Sequence, residues 1–218
     1  MNHEKTKRLT VTAMLCALAF VAVAALRLPI MSVEFLKYEP KDVIIAIGGF
    51  LYGPVTAVII SCIVSLIEMV SISTTGWIGY VMNVLSSCAF AGVAALVYRR
   101  RRTLGGAMLG LGLGVVCMTA VMLLWNYLIT PLYMSKPRAE VAALLLPVFL
   151  PFNLLKGGLN AALTALLYRP VTQGLRRAKL LPASEAAPTQ KRGKYMVWLG
   201  AAVILLVCVA SALLLRKQ

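Results

Sequence analysis

Residues 150–160, "LPFNLLKGGLN", place two amides and an ammonium inside the apolar stretch 144–167. Asn153, Lys156 and Asn160 follow one another at spacings of three and four residues, which puts them on one face of an α-helix. A lysine near the centre of a membrane-spanning helix costs about 2.5 to 3.5 kcal/mol on insertion, so it needs a compensating contact. This stretch therefore predicts an apolar helix that carries one polar, functional face.

The composition around this stretch indicates a membrane protein. Of the 218 residues, 61% are hydrophobic and 13% are charged, and the mean hydropathy is +0.87. A soluble domain carries about 25% charged residues. Several continuous apolar runs reach the roughly 20 residues that a spanning helix needs, and they lack the alternation of barrel strands. Since backbone groups in lipid must be paired within the chain, the sequence predicts an all-α integral membrane fold.

The apolar runs predict a six-helix transmembrane bundle followed by a seventh, C-terminal transmembrane helix. Gly53 and Pro54 separate a short second helix from the third, because proline suits the first turn of a helix. The predicted helices cover residues 9–26, 41–52, 55–70, 78–98, 104–130, 148–168 and 195–215. We expect a membrane domain at 1–182, a basic cytoplasmic linker at 183–194 and the additional helix within 195–218.

The distribution of Lys and Arg predicts a multi-pass protein of the cell membrane with its N-terminus in the cytoplasm. This topology places fourteen of these residues in inner segments and five in outer loops, and cytoplasmic loops are the ones enriched in positive charge. Basic runs beside anionic lipid head groups also account for the net charge of +15 without a nucleic-acid partner. A cleaved signal peptide is the alternative for the first run, but this run is longer than a usual signal core.

Residue types needed for catalysis or metal binding are scarce. The one histidine, His3, lies near the N-terminus, so histidine metal sites and Ser-His or Cys-His pairs are disfavoured. Gly48 and Gly53 are followed by Pro54 rather than by the lysine of a phosphate-binding loop. We therefore predict no catalytic residues, no metal site, no cofactor and no ATP hydrolysis by this chain alone. The cysteines lie in apolar runs and lack ligand spacing: Cys16, Cys62, Cys88, Cys117 and Cys208.

The run "GGAMLGLGLG" predicts a helix face that packs closely against a neighbour. Gly106, Gly110 and Gly114 recur at four-residue spacing. Small residues at this spacing let two membrane helices approach closely. The run resembles a dinucleotide-binding fingerprint only superficially, so we interpret it as a packing face.

In the predicted topology, polar groups gather toward the outer side of the membrane. The fifth helix runs outward and reaches Asn126 late, while the sixth runs inward and reaches Asn153 early, with Lys156 one turn deeper. Asn83 adds an amide in the fourth helix, and an interhelical hydrogen bond is the alternative role for each amide. Aromatic residues collect at the same level: Phe35, Tyr38, Trp77, Tyr80, Trp125, Tyr127, Phe149 and Phe152. An apolar pocket with a few convergent donors is typical of small-molecule sites.

Three roles for Lys156 stay open at this point. Its ammonium donates to a ligand, or reaches a membrane interface by snorkelling, or pairs with Glu68, which we take as the acidic residue inside a span. A buried lysine with neither partner would carry an uncompensated charge in the membrane.

Three motifs resemble those of a known family. The stretches "EFLKYEPKDVIIAIGGFLYGP" at 34–54, "WNYLITPLY" at 125–133 and "LPFNLLKGGLN" occur in this order on six predicted helices. They are similar to the S component, the substrate-binding subunit, of energy-coupling factor (ECF) vitamin transporters, and closest to the riboflavin-specific members. The resemblance covers about residues 9–182. It implies capture of riboflavin, as transported ligand, from outside the cell, and partnership with a transmembrane coupling subunit and two ABC-type ATPases.

The resemblance also implies roles for individual residues. Asn126 and Lys156 match the positions that hydrogen-bond the flavin, and residues 34–39 match a loop that covers the site. Ala13 and Ala17 match an Ala-x-x-x-Ala pattern that faces the coupling subunit, with packing inside the bundle as the alternative. The predicted substrate-binding residues are Asn126, Lys156, Asn153, Phe35, Leu36, Tyr38, Asn83, Trp77 and Glu68. Glu68 and the seventh helix depart from the family pattern.

A flavin suits the predicted pocket chemically. Its flat, largely apolar ring fits aromatic walls, and its pyrimidine edge carries acceptors for an ammonium and an amide. Because the ligand is neutral, a nearby carboxylate or water should neutralise Lys156. The alternatives are an S component for another vitamin or a modified base, an intramembrane enzyme and a structural membrane subunit.

Overall fold

The computed structural model describes residues 3–29 and 36–180. Phe35, the predicted linker at 183–194 and the predicted seventh helix at 195–215 lie outside the described residues. The described part is helical apart from one two-stranded ribbon. Its elements are α1 (His3–Ala25), β1 (Leu28–Pro29), β2 (Lys37–Tyr38), α2 (Lys41–Tyr52), α3 (Pro54–Ser71), α4 (Gly76–Ser87), α5 (Val93–Arg100), α6 (Leu104–Leu128), α7 (Thr130–Met134), α8 (Arg138–Leu144) and α9 (Leu150–Arg177).

Five helices of the described part are long and apolar enough to cross a membrane. This confirms the all-α membrane fold, whereas a count of six spanning helices is not reached. The predicted second helix has the expected bounds, Lys41–Tyr52, but its 12 residues extend only about 18 Å, less than the roughly 30 Å hydrocarbon core. Most of its side chains are buried. α2 therefore lies in the centre of the bundle, surrounded by longer helices.

Two of the long helices contain a π-helical turn. Cys88–Gly92 joins α4 to α5, and Leu145–Phe149 joins α8 to α9. Pro147 lies in the second turn and has no N–H to donate, which favours a local change in the hydrogen-bond pattern. The sixth helix begins at Arg138, because it continues through Pro147, and it ends at Arg177, because it also continues through Pro170. Its predicted bounds, 148–168, were too short at both ends.

The glycines of α6 form the predicted close-packing face. A Cβ atom added at Gly110 would lie 2.7 Å from the carbonyl oxygen of Ala94, and one added at Gly114 would lie 2.5 Å from that of Phe90. Both distances are too short for a side chain, so glycine lets α6 contact the backbone of α5 and of the π-helical turn before it. The interpretation of this run as a packing face is confirmed.

The two-stranded ribbon closes one end of the bundle. Leu28 pairs with Tyr38 and Pro29 with Lys37 in antiparallel register. The ribbon follows α1 and precedes α2, so it holds Leu36 against the aromatic residues of the last helix. These form a small apolar cluster with it: Leu36, Tyr38, Val141, Phe149, Phe152, Leu155 and Leu159.

Candidate ligand-binding site

A cavity, here called the ribbon cavity, opens beside the two-stranded ribbon. It holds about 850 Å³ of space, part of which is open solvent at its mouth. Its wall combines thioether, aromatic and aliphatic groups with amides and charged groups, the composition that small-molecule sites have. The lining residues are Arg27, Leu36, Lys37, Glu39, Thr74, Thr75, Ile78, Gly79, Met82, Asn83, Ser86, Met122, Asn126, Phe152, Asn153 and Lys156.

The structure brings five of the predicted site residues together on this wall. Leu36 comes from the segment before β2, Asn83 from α4, Asn126 from α6, and Asn153 and Lys156 from α9. The last two are adjacent because a spacing of three residues keeps side chains on one helix face. Residues far apart in sequence thus converge on one space.

Three other predicted site residues do not line the ribbon cavity. Trp77 is 69% exposed and packs edge to face against Tyr80, with ring centroids 5.8 Å apart. Tyr38 and Glu68 are buried behind the wall. A sequence does not give the direction of a side chain around its helix, and the role of these three residues in substrate binding stays a prediction.

Two asparagines of the wall are held by local hydrogen bonds. The Oδ1 of Asn126 accepts from the Thr130 hydroxyl at 2.9 Å, one helical turn further along. The Nδ2 of Asn153 donates to the Phe149 carbonyl at 2.7 Å. Each bond uses one end of the amide. This leaves Asn126 to donate to a ligand and Asn153 to accept from one.

Lys156 pairs with Asp42, not with Glu68. Its Nζ lies 3.9 Å from the Oδ2 of Asp42, in the first turn of α2. The Glu68–Lys156 pair, which the sequence left open as an alternative, is not formed, because the described cations within 4.0 Å of Glu68 are Lys41 and Arg27. The expectation that a carboxylate neutralises Lys156 is confirmed with a different residue, one that lies in a helix too short to span the membrane.

Glu68 belongs to a second buried charge cluster beside the cavity. Arg27 contacts Glu39 at 2.9 Å and Glu68 at 3.4 Å, and Lys41 contacts Glu39 at 3.2 Å and also binds Glu68 directly. Asn83 donates to Glu68 at 3.3 Å. Mutual pairing is what makes such charges tolerable in a buried position.

Glu39 lies outside the membrane-spanning segments, in the turn between β2 and α2. Burial of its carboxyl raises the pKa, but Lys41, Lys156 and Arg27 outweigh this effect and lower the pKa from 4.5 to about 2. Glu39 is therefore ionised at neutral pH. Sequence reasoning did not select it, although the dense charge pattern of "YEPKD" at 38–42 was a usable signal.

Asp42 connects α2 to α4, α9 and the ribbon. The Ser87 hydroxyl donates to its Oδ1, and Asn160 donates to its Oδ2 at 3.2 Å. Asn160 in turn accepts from the Tyr38 hydroxyl at 3.0 Å. The three polar residues of 150–160 therefore act together, since Asn153 and Lys156 line the cavity and Asn160 holds the carboxylate behind it.

Ala13 and Ala17 lie on the face of α1 that is turned away from the bundle. Both are exposed, as are Met14 and Leu18 beside them. The buried face of α1 consists instead of Val11, Leu15, Cys16, Ala19 and Val23. Ala13 and Ala17 therefore do not pack inside the bundle, which was the alternative interpretation of their spacing.

Comparisons with known proteins agree on one family. The family model described as "ECF transporter, substrate-specific component" matches residues 7–168. The riboflavin transporter RibU of Staphylococcus aureus (strain TCH60) is 29% identical over 184 residues, which cover 81% of this chain and 96% of the relative. The riboflavin transporter FmnP of Bacillus subtilis (strain 168) is 28% identical over 174 residues, which cover 75% and 91%.

A solved structure gives the same result for the fold. The S component of a bacterial ECF transporter superposes with a TM-score of 0.66 at 28% sequence identity. The match covers 79% of this chain and 99% of the solved chain. The described helices therefore follow the S-component fold over nearly all of that structure's length.

Proposed function

The chain belongs to the family of ECF transporter substrate-specific components, and from this premise we propose that its ribbon cavity binds riboflavin for uptake by an ECF importer. The observation that carries the proposal is the buried Lys156 ammonium, which lines the cavity together with Asn126 and Asn153. Two similar proteins are riboflavin transporters. The protein is accordingly a ligand-capturing membrane subunit rather than an enzyme.

The chemistry of the wall suits a flavin. Met82, Met122 and Phe152 offer polarizable and aromatic surface to a flat ring. Lys156 and Asn126 donate to the carbonyl groups of the pyrimidine edge, while Asn153 accepts from a ring N–H. The ion pairs beside the cavity join three cations to three carboxylates, so a neutral ligand leaves these pairs balanced.

We propose further that the ribbon cavity faces the outside of the cell. The ends of the helices opposite the ribbon carry more basic residues than the ribbon end, among them Arg8 in α1, Arg99 in α5 and Arg176 in α9. Arg8 also donates to the Tyr52 carbonyl at the end of α2, which brings these ends together. Positive charge concentrates on the cytoplasmic side of membrane proteins, so the N-terminus lies inside and the ribbon outside.

The partners we propose are a transmembrane coupling subunit and two ABC-type ATPases. No phosphate-binding loop occurs in the sequence, so the energy for uptake has to come from other chains. The exposed face of α1 with Ala13 and Ala17 is the proposed contact for the coupling subunit, because small residues one turn apart let another helix approach closely.

Titration of the purified protein with riboflavin, followed by quenching of flavin fluorescence, tests the proposed ligand. A panel of other vitamins and modified bases is titrated in parallel. We expect saturable binding of riboflavin by one site per chain, and a yellow preparation when the flavin is present during purification. Saturable binding of another panel member without riboflavin binding would favour the alternative, an S component for a different compound.

A further inference from the structure

Lys156 is a buried ammonium whose hydrogen-bond donors remain available. Its side chain is 9% exposed and lines the ribbon cavity. The Asp42 Oδ2 is 3.9 Å from its Nζ, beyond the roughly 2.7–3.2 Å of a hydrogen bond. Within the described ranges, no other carboxylate lies within 4.0 Å of this Nζ. The ion pair therefore fixes the ammonium without using up its N–H donors.

Lys41 shows the opposite arrangement. Its side chain is 1% exposed and does not line the cavity. Its Nζ contacts Glu39 at 3.2 Å and donates a hydrogen bond to Glu68. The N–H donors of Lys41 are therefore used in ion pairs within the protein. Those of Lys156 are available to a ligand in the cavity.

The distance between Asp42 and Lys156 is set by the other partners of Asp42. Both of its carboxylate oxygens accept hydrogen bonds, Oδ1 from Ser87 and Oδ2 from Asn160. The Tyr38 hydroxyl fixes Asn160 in turn. Asp42 is fully buried, so water does not replace these bonds. The carboxylate cannot move toward the ammonium without giving one of them up.

We propose that Asp42 is a positioning residue for ligand binding, which holds the Lys156 ammonium at the cavity wall while leaving its donors to the ligand. Asp42 does not line the cavity and acts only through Lys156. The inference rests on the proposed function, in which Lys156 donates to riboflavin. Without this negative charge, the Lys156 ammonium loses the carboxylate within 4.0 Å of its Nζ. Glu39, which attracts the ammonium from a greater distance, then draws it away from its position beside Asp42.

A double-mutant cycle tests the proposal on the full-length protein. Riboflavin is titrated against the unmodified protein, Asp42→Asn, Lys156→Met and the double variant, and the melting temperature of each is measured without ligand. Asparagine has the shape of aspartate, but its single carbonyl oxygen can accept from Ser87 or from Asn160 and not from both. The melting temperature of Asp42→Asn reports the cost of the lost hydrogen bond. We expect Asp42→Asn to weaken binding by about tenfold or more, which corresponds to about 1.4 kcal/mol. Glu140→Gln serves as control, since it removes an exposed carboxylate paired with Lys136.

The second step of the cycle distinguishes positioning from general structural damage. In the Lys156→Met background, Asp42→Asn should cause no further loss of affinity, because nothing remains to be positioned. An equal loss in both backgrounds, or unchanged affinity of Asp42→Asn alone, would overturn the role of Asp42 while leaving riboflavin binding established. Absence of riboflavin binding by the unmodified protein would instead remove the proposed function, and this inference with it.

Asp42→Glu keeps the test decisive if Asp42→Asn fails to fold. Glutamate retains the negative charge beside Lys156, and its side chain is longer by one methylene group. We expect this variant to bind riboflavin more tightly than the Asp42→Asn, Lys156→Met double variant. Equal affinities of these two variants would contradict a role for the charge.

Discussion

At the scale of single residues, the structure separates two buried lysines by what surrounds them. Lys41 forms ion pairs with Glu39 and Glu68. Both carboxylates are buried, and Lys41 compensates their charge. Among the described residues, Asp42 is the carboxylate within 4.0 Å of the Lys156 Nζ, and it already accepts two other hydrogen bonds. Lys41 therefore contributes to stability and Lys156 to binding.

Substitution of each lysine by methionine should give opposite profiles. We expect Lys41→Met to lower the free energy of unfolding by about 3–5 kcal/mol, since it breaks a buried ion pair by removing one partner. Glu68→Gln should restore part of this loss in the same background. Lys156→Met should lower stability less and remove most riboflavin affinity. Thermal unfolding without ligand, together with riboflavin titration, measures both effects, and equal losses of stability would contradict the distinction.

The carboxyl group of Glu39 should make stability depend on pH in the acid range. Its pKa is about 2 in the folded protein against 4.5 ordinarily, so the folded state favours the ionised form. The contribution, about 3 kcal/mol, is fully present above pH 4.5 and is lost as the pH falls toward 2. We expect the difference in melting temperature between the unmodified protein and Glu39→Gln to shrink over this interval. A difference independent of pH from 7 to 2 would contradict the assigned cause.

At the scale of secondary-structure elements, two helix faces carry small residues for different reasons. On α6, Gly110 and Gly114 contact the backbone of the neighbouring helix, so any side chain there would clash. On α1, Ala13 and Ala17 are exposed and contact no part of the bundle core. The first face serves the fold and the second is available to a partner.

Alanine substitutions within α6 should change stability in opposite directions. Gly110→Ala places a Cβ atom 2.7 Å from the Ala94 carbonyl oxygen, and we expect overpacking to cost about 1–3 kcal/mol. Gly112→Ala meets no atom within 4 Å, so it should be neutral or stabilise the helix by up to about 1 kcal/mol. Thermal unfolding of the two variants checks the prediction. It fails if Gly110→Ala is at least as stable as Gly112→Ala.

Bulky residues on the exposed face of α1 should uncouple binding from transport. We expect Ala13→Trp and Ala17→Trp to keep riboflavin affinity and to lose uptake by the assembled complex, because the added ring separates two helices. Val116→Trp, at a 64% exposed position of α6, is the matched control and should preserve uptake. Loss of riboflavin binding in the α1 variants would show that this face supports the internal core instead.

At the scale of the whole molecule, local sequence patterns predicted the helices better than the contacts between them. The bounds of α2 and the start of α6 follow from the Gly53-Pro54 break and from the length of apolar runs. The bounds of the last described helix did not follow, because Pro147 is accommodated in a π-helical turn and Pro170 inside α9.

The polar contacts between distant residues could not be predicted from the sequence alone. Asp42 and Asn160 are separated by 118 positions, and their contact depends on how α2 crosses the bundle. Apolar patterning identified Lys156 as a residue in need of a partner, but it pointed to Glu68 and did not single out Asp42. The choice is made by tertiary packing, which places a short central helix beside the middle of a long one.

The structure of the flavin-bound protein tests the central claim most directly. We predict that the flavin ring occupies the ribbon cavity against Met122 and Phe152, with Lys156 and Asn126 within hydrogen-bonding distance of its pyrimidine edge. The Asp42 carboxylate should remain bonded to Ser87 and Asn160 and stay out of contact with the ligand. Riboflavin bound elsewhere in the bundle, or in the ribbon cavity with Lys156 turned away from it, would contradict the account.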